Sequence, residues 1–183
     1  MSRDGNFKEP ASDRARRRFS EIVLLHLDDA YGLALWLTGQ RADADDVVQE
    51  ACIRALAALE NATVEQPRAW LLAIVRNCAF TWLAKNRPNF VLVTDDMALL
   101  ENAQPRDQTP TAEEALIARD DEATLLQAIA ELPMPFKEAL ILRDVNGLSY
   151  REIAATTGAP TGTIMSRLAR ARALLIDKLG KAK

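Results

Sequence analysis

Apolar positions recur at helical spacing along most of the chain, and nowhere alternate with the period of two that marks a half-buried strand. After a polar start, Ile22, Val23, Leu25, Leu27, Tyr31, Leu33, Leu35 and Trp36 predict one largely buried helix over 19–37, ended by Gly39. Asp43 is placed to cap a second helix. Asp45 and Asp46 follow in its first turn, where the positive end of the helix dipole favours anions. Val47, Val48, Ala51, Ile53, Ala55, Leu56 and Leu59 make its apolar side, opposite Asp46, Gln49, Glu50 and Arg54. A polar loop, 60–66, leads to Pro67, a residue suited to the first helical turn. The helix it opens repeats Trp70, Leu71, Ile74, Val75, Cys78, Ala79, Trp82 and Leu83 on one side until Pro88 closes it.

The stretch 88–112 is rich in Pro, Asp, Gln and Thr and reads as a linker. Helical periodicity resumes over 113–131 with Ala115, Leu116, Ala118, Leu125, Leu126 and Ile129, and Pro133 and Pro135 break it. Phe136, Ala139, Leu140, Leu142 and Val145 mark the next helix, closed by Asn146-Gly147. In 148–175 the residues LSYREIAATTGAPTGTIMSRLARARALL carry a denser signal. Ser149 with Glu152 three residues on is a capping box, and Ile153 and Ala154 give that helix its buried face. Gly158 supplies the left-handed turn, and Thr161 is placed to cap a longer helix with Ile164, Leu168, Ala171 and Leu175 on one face. Ser166, Arg167, Arg170 and Arg172 lie beside that face. This is the pattern of a helix-turn-helix, which reads DNA. The fold class expected is all-α: two small helical domains joined by a flexible linker.

Charge sharpens this picture. The net charge of −3 is unevenly spread: 1–90 is balanced, 91–131 carries −8, and 132–183 carries +5. The basic surplus thus coincides with the helix-turn-helix, as DNA binding requires. The cluster Arg14, Arg16, Arg17 and Arg18 reads as a solvated helix end after a disordered start over 1–18. Cys52 and Cys78 are isolated and read as small core residues, His26 as structural, and Asp28 and Asp29 as solvated charge. With one histidine and no CxxC pair, neither a metal site nor another cofactor is expected. The chain has no run of 18 apolar residues and no signal-peptide pattern, so no membrane insertion and a cytoplasmic location are expected. A Gly-rich phosphate loop, a nucleophile with its base and a carboxylate–histidine cluster are all missing, which argues against an enzyme.

Three segments in order resemble the extracytoplasmic-function (ECF) sigma factors of the sigma-70 family. AYGLALWLTGQRADADDVVQEACIRAL is similar to regions 2.1–2.2, PRAWLLAIVRNCAFTWLAKNR to regions 2.3–2.4, and ELPMPFKEALILRDVNGLSYREIAATTGAPTGTIMSRLARARALL to region 4. The likeness covers about 19–87 and 113–179. It implies a region 2 domain at 19–87, a linker at 88–112 and a region 4 domain at 113–183. The implied partners are core RNA polymerase, through its β′ clamp and β flap, promoter DNA, and an anti-sigma factor. Asp46, Gln49 and Glu50 would face the polymerase. Asn61, Arg76, Asn77, Trp82 and Lys85 would serve the −10 element, where an unstacked base of the non-template strand is captured. Thr161, Thr163, Met165, Ser166, Arg167, Arg170 and Arg172 would serve the −35 element. Among these, Arg167 and Arg170 suit base or backbone contacts and Thr163 and Ser166 phosphate. Met165 and Ala169 stand where the family often has basic or bulkier residues, and the basic run after region 2.3 is thinned at 81–87.

Two other readings compete: a stand-alone helix-turn-helix regulator, and a sigma-like decoy that binds an anti-sigma factor but not DNA. The DDVVQE segment counts against the first, and retention of Arg167, Arg170 and Arg172 against the second.

Overall fold

The computed structural model describes residues 11–87 and 118–181, which form two compact units of helices. The expected linker at 88–112, and Ala115 and Leu116 of the expected acidic helix, lie outside the described residues.

The first unit runs through α1 (Ala11–Ile22), a 3-10 turn (Leu24–His26), α2 (Leu27–Thr38), α3 (Arg41–Leu59) and α4 (Pro67–Asn86). Helices α2, α3 and α4 pack on one another, and α1 lies against α3. Their shared core includes Leu33, Leu37, Val47, Leu59, Leu71, Leu72, Val75 and Leu83, all essentially inaccessible. The buried stripe of α3 is rich in alanine, with Ala44, Ala51 and Ala55 fully covered. Small side chains at those positions let neighbouring helices approach closely.

Four expectations are corrected here. The single helix over 19–37 is two helices, because 22–25 is apolar at too many consecutive positions to fit one stripe. The 3-10 turn lets Val23 enter the core while Leu25 turns outward, 75% exposed. Helix α1 also reaches back to Ala11, into the stretch expected to be disordered. The helix is anchored by Arg18, whose guanidinium donates to the carbonyl of Leu59, the last residue of α3, and to that of Ala62 beyond it. Asp43 does not cap α3. Gly39 (φ 80°) and extended Gln40 already reverse the chain, so the helix starts at Arg41 with Asp43 inside its first turn. Finally, Ile53 and Leu56 are exposed at 60% and 38%, outside the single stripe that α2 and α4 cover.

The second unit comprises α5 (Ala118–Ala130), α6 (Met134–Leu140) continuing into a π-helical turn (Ile141–Val145), α7 (Tyr150–Thr157) and α8 (Thr161–Lys181). Helix α8 packs against α5, α6 and α7. Ile129, Phe136, Ile141, Leu142, Leu148, Ile153, Ile164 and Leu168 form the centre of this core. Val145, expected on the apolar side, is exposed. The π turn carries one extra residue, closed by the Asn146 N–H on the Ile141 carbonyl at 2.9 Å, and this rotates Val145 off the face it would share with Leu142 in an α-helix. Leu125 and Leu126 are likewise exposed, although Leu125 lies on the same side of α5 as the buried Ala128 and Ile129, three and four residues on. Among the described residues, no helix is long and apolar enough to cross a membrane.

Candidate functional site

The helix-turn-helix is built from local chemistry. The Ser149 hydroxyl accepts from the Glu152 N–H at 3.3 Å, and the Glu152 carboxylate accepts from the Ser149 N–H at 2.7 Å, completing the capping box. Gly158 ends α7 in the left-handed conformation (φ 72°), its N–H on the Ala154 carbonyl. Thr157 spans the same turn: its hydroxyl donates to the Ile153 carbonyl at 2.8 Å and accepts from the Ala159 N–H at 3.3 Å. Ahead of α7, Arg143 donates to the Leu148 carbonyl at 2.8 Å, with its guanidinium 4.9 Å from the centre of the Tyr150 ring. The approach to the motif is therefore held by a side-chain bond to its backbone and a cation–ring contact.

Helix α8 buries Ile164, Leu168 and Ala171 and leaves Thr161, Gly162, Met165, Ser166, Ala169 and Arg172 exposed. Thr163, Arg167 and Arg170 are half-buried at the margins. The seven residues expected to face DNA all lie outside the buried stripe of α8, with Met165 and Arg172 on one flank, Arg167 on the other and Ser166 and Arg170 between them. Thr161 is the first residue of α8, one position past the cap expected of it. First-turn N–H groups at that end have no intrahelical partners, which suits phosphate oxygens. Some of these side chains are already engaged within the protein. The Ser166 hydroxyl donates to the Thr163 carbonyl at 2.9 Å, and Arg172 pairs with Asp144 of the π turn at 2.8 Å. At the far end of α8, Lys178 pairs with Glu131 at 2.5 Å. That bond, followed by one from Gln127, holds the Glu131 carboxyl below the usual carboxylate range.

In the first unit, Asn77, Thr81, Ala84 and Lys85 form a continuous exposed strip along α4. At about 100° per residue, Arg76 and Trp82 fall on opposite flanks of that strip. Arg76 stacks on Phe80, 4.5 Å from the ring centre, and reaches the Asn77 side-chain oxygen at 3.3 Å. Asn61 is exposed on the turn that leaves α3, whereas Trp70 and Trp82 are both partly buried. On α3, Asp46, Gln49 and Glu50 are exposed on one side, and Glu50 pairs with Arg54 four residues on at 2.6 Å. Ile53 and Leu56 continue this same side, an apolar extension that helical periodicity alone had assigned to the core.

Asp29, expected to be solvated, instead takes two bonds from Arg68 at 2.7 and 2.9 Å. Nothing in the local sequence signals this pair, since its members are 39 positions apart. Burial pushes the Cys52 and Cys78 thiols up, so both stay protonated at neutral pH; Cys78 lies in the core as expected, whereas Cys52 is half-buried. Among the described residues, no group of three or more His, Cys, Asp or Glu side chains is placed to hold a metal ion.

Comparison with known proteins bears on both units. Residues 22–88 match the family model of sigma-70 region 2, and residues 122–175 match that of sigma-70 region 4. The chain is 35% identical over 167 residues to the RNA polymerase sigma-H factor of Pseudomonas aeruginosa, spanning 89% of this chain and 86% of that protein. It is 32% identical over 168 residues to the ECF RNA polymerase sigma-E factor of Haemophilus influenzae, spanning 90% and 88%. Among solved structures, the sigma factor RpoE from Bartonella quintana, in complex with the anti-sigma factor NepR, superposes with a TM-score of 0.67 at 28% identity. The match covers 90% of this chain and 98% of that one.

Proposed function

Because the chain belongs to the extracytoplasmic-function group of the sigma-70 family, we propose that it binds core RNA polymerase, directs it to promoters by their −35 and −10 elements, and starts transcription of a signal-responsive set of genes. The observation that carries this reading is the pairing, in one chain, of a region 2 helical unit with a region 4 unit whose capped helix-turn-helix exposes one side of α8.

On this reading α8 enters the major groove of the −35 element. Arg167 and Arg170 contact base edges or backbone there, and a bidentate arginine–guanine pair discriminates by about 1–3 kcal/mol. Thr161, Thr163 and Ser166 lie around the N-terminal turn and meet phosphate, Met165 offers an apolar contact, and Arg172 extends the basic edge. In the first unit Asn61, Arg76, Asn77, Trp82 and Lys85 receive an unstacked base of the −10 element and the strand beside it. Unstacking costs a few kcal/mol, which a pocket and nearby cations must offset. Asp46, Gln49 and Glu50 dock on the β′ clamp, and the region 4 unit on the β flap. The domains are assigned accordingly: region 2 at 19–87, a linker at 88–112 and region 4 at 113–183. The protein works as an initiation factor in the cytoplasm, where the polymerase is, and leaves catalysis to the polymerase. An anti-sigma factor holds it inactive by covering these surfaces, a reading supported by the complex of its structural relative RpoE with the anti-sigma factor NepR.

Transcription in vitro with purified core polymerase, on fragments of the source genome, tests the proposal. Promoter-specific transcripts are expected with the wild-type chain and lost with Asp46→Ala or Arg170→Ala. Absence of both transcripts and core binding would leave a stand-alone DNA-binding regulator.

A further inference from the structure

The loop 60–66 carries Asn61 and lies between two arginine contacts: Arg18 of α1 bonds backbone at its α3 end, and Arg68, just past its other end, ties α4 to α2. At the α3 end, Arg18 of α1 donates from Nη1 to the Leu59 carbonyl at 2.8 Å and from Nη2 to the Ala62 carbonyl at 2.6 Å. These carbonyls bracket Asn61, and that of Leu59, the last residue of α3, belongs to the set that a helix end leaves without intrahelical donors. The N–H groups of Asn61 and Ala62 both turn back on the Ala58 carbonyl, at 3.3 and 3.0 Å. The backbone around Asn61 is thus held from within by α3 and from outside by Arg18. At the other end Arg68, the second residue of α4, takes both oxygens of Asp29 on α2. Each grip uses the rigid two-pronged geometry of a guanidinium, which a lysine ammonium does not reproduce.

We propose that Arg18 is a positioning residue for promoter opening, holding loop 60–66 in the shape that presents Asn61 to the captured −10 base, with the Arg68–Asp29 pair fixing the loop's other end. The inference rests on the reading of this loop as the base-capture site. Its physical basis is preorganisation. Taking a base out of the stack is costly, and a loop that had to order itself at the same moment would add its own conformational entropy to that cost. In these two bonds Arg18 touches only backbone, one carbonyl at the end of α3 and one in the loop, so it acts on recognition through Asn61 between them.

The test uses holoenzyme reconstituted from core polymerase and the full chain carrying Arg18→Ala, Arg18→Gln or Asn61→Ala. The probe is a single-stranded oligonucleotide with the non-template −10 sequence of a promoter mapped with the wild-type holoenzyme, together with versions in which each base is changed in turn. Affinity for each probe, affinity for core polymerase and the melting temperature of the free chain are measured. The expected result is that Arg18→Ala loses about tenfold in discrimination at the same base as Asn61→Ala, with core affinity within about twofold of wild type. Full discrimination in folded Arg18→Ala, while Asn61→Ala loses it, overturns the positioning role. Equal weakening at every base, together with weaker core binding, overturns it in favour of a merely structural one. Wild-type discrimination in Asn61→Ala removes the base-capture reading itself, and the proposal falls with it. If Arg18→Ala fails to fold, Arg18→Gln decides by the same criteria, since its single amide can reach one carbonyl but not bridge both.

Discussion

Gly158 shows how much one residue can carry. Its backbone lies at φ +72°, a conformation that side chains bearing a Cβ rarely adopt, yet nothing lies within 4 Å of where that atom would stand. Gly158→Ala therefore meets no clash and pays in backbone strain alone, about 1–2 kcal/mol. A lower melting temperature in calorimetry is the expected outcome, with Gly158→Asn milder because asparagine tolerates the left-handed region. Arg172 is the opposite case. By composition it belongs with Arg167 and Arg170, but its guanidinium is engaged by Asp144, 28 positions earlier. Both partners are substantially exposed, so the pair adds little stability, and its consequence is to fix where one positive charge sits on α8. The capping box at Ser149 and the turn glycine were legible because their chemistry is confined to a few neighbouring residues. The Arg172 and Arg68 pairs were not, because each joins distant parts of the chain.

At the scale of elements, periodicity found the helices, though not always the side each one buries. Helix α3 has apolar residues around much more of its circumference than its neighbours cover. Its surplus, Ile53 and Leu56, lies in line with Asp46, Gln49 and Glu50. If this side docks on core polymerase, Ile53→Ala and Leu56→Ala will leave folding stability within about 0.5 kcal/mol, as surface substitutions do. They will weaken core association by about fivefold or more, as truncation of buried interface anchors does. Denaturation and core-binding titrations of the same variants give both quantities, and unchanged core affinity would remove this side from the interface. On α8, the Lys178–Glu131 pair ties the helix's C-terminal part to the end of α5. Because Glu131 is held below the usual carboxylate range in the folded state, the contact stabilises at neutral pH and is lost as the pH falls through the lowered value. Urea unfolding of wild type and Lys178→Met should differ at neutral pH and converge in acid below that range.

For the whole molecule, charge and domain division govern how DNA is met. The basic surplus is confined to the last third of a chain that is net acidic, with −8 concentrated in 91–131. Association of the free chain with a promoter duplex is therefore expected to be weak, since phosphate neutralisation supplies much of such affinity. On the proposed function, core polymerase would supply the missing binding energy by presenting both units to DNA at once, an effect of linkage rather than of stronger single contacts. In gel-shift titrations at moderate salt, the free chain should show little sequence-specific binding and the holoenzyme much more. Tight specific binding by the free chain would contradict this view.

The sequence by itself determined the helical class, the capped helix-turn-helix with its glycine turn, and, through three motifs in order, membership of the sigma-70 family. Those features are local, or repeat with the helical period, so their physics is complete within a few turns of chain. Tertiary structure decided the rest. It broke the first helix at Val23, rotated Val145 outward through an extra residue in a turn, and left Ile53 and Leu56 uncovered. It also paired Arg18, Arg68 and Arg172 with groups 28 to 44 positions away. Burial and long-range pairing depend on which neighbours cover a surface, and no window along the chain contains those neighbours.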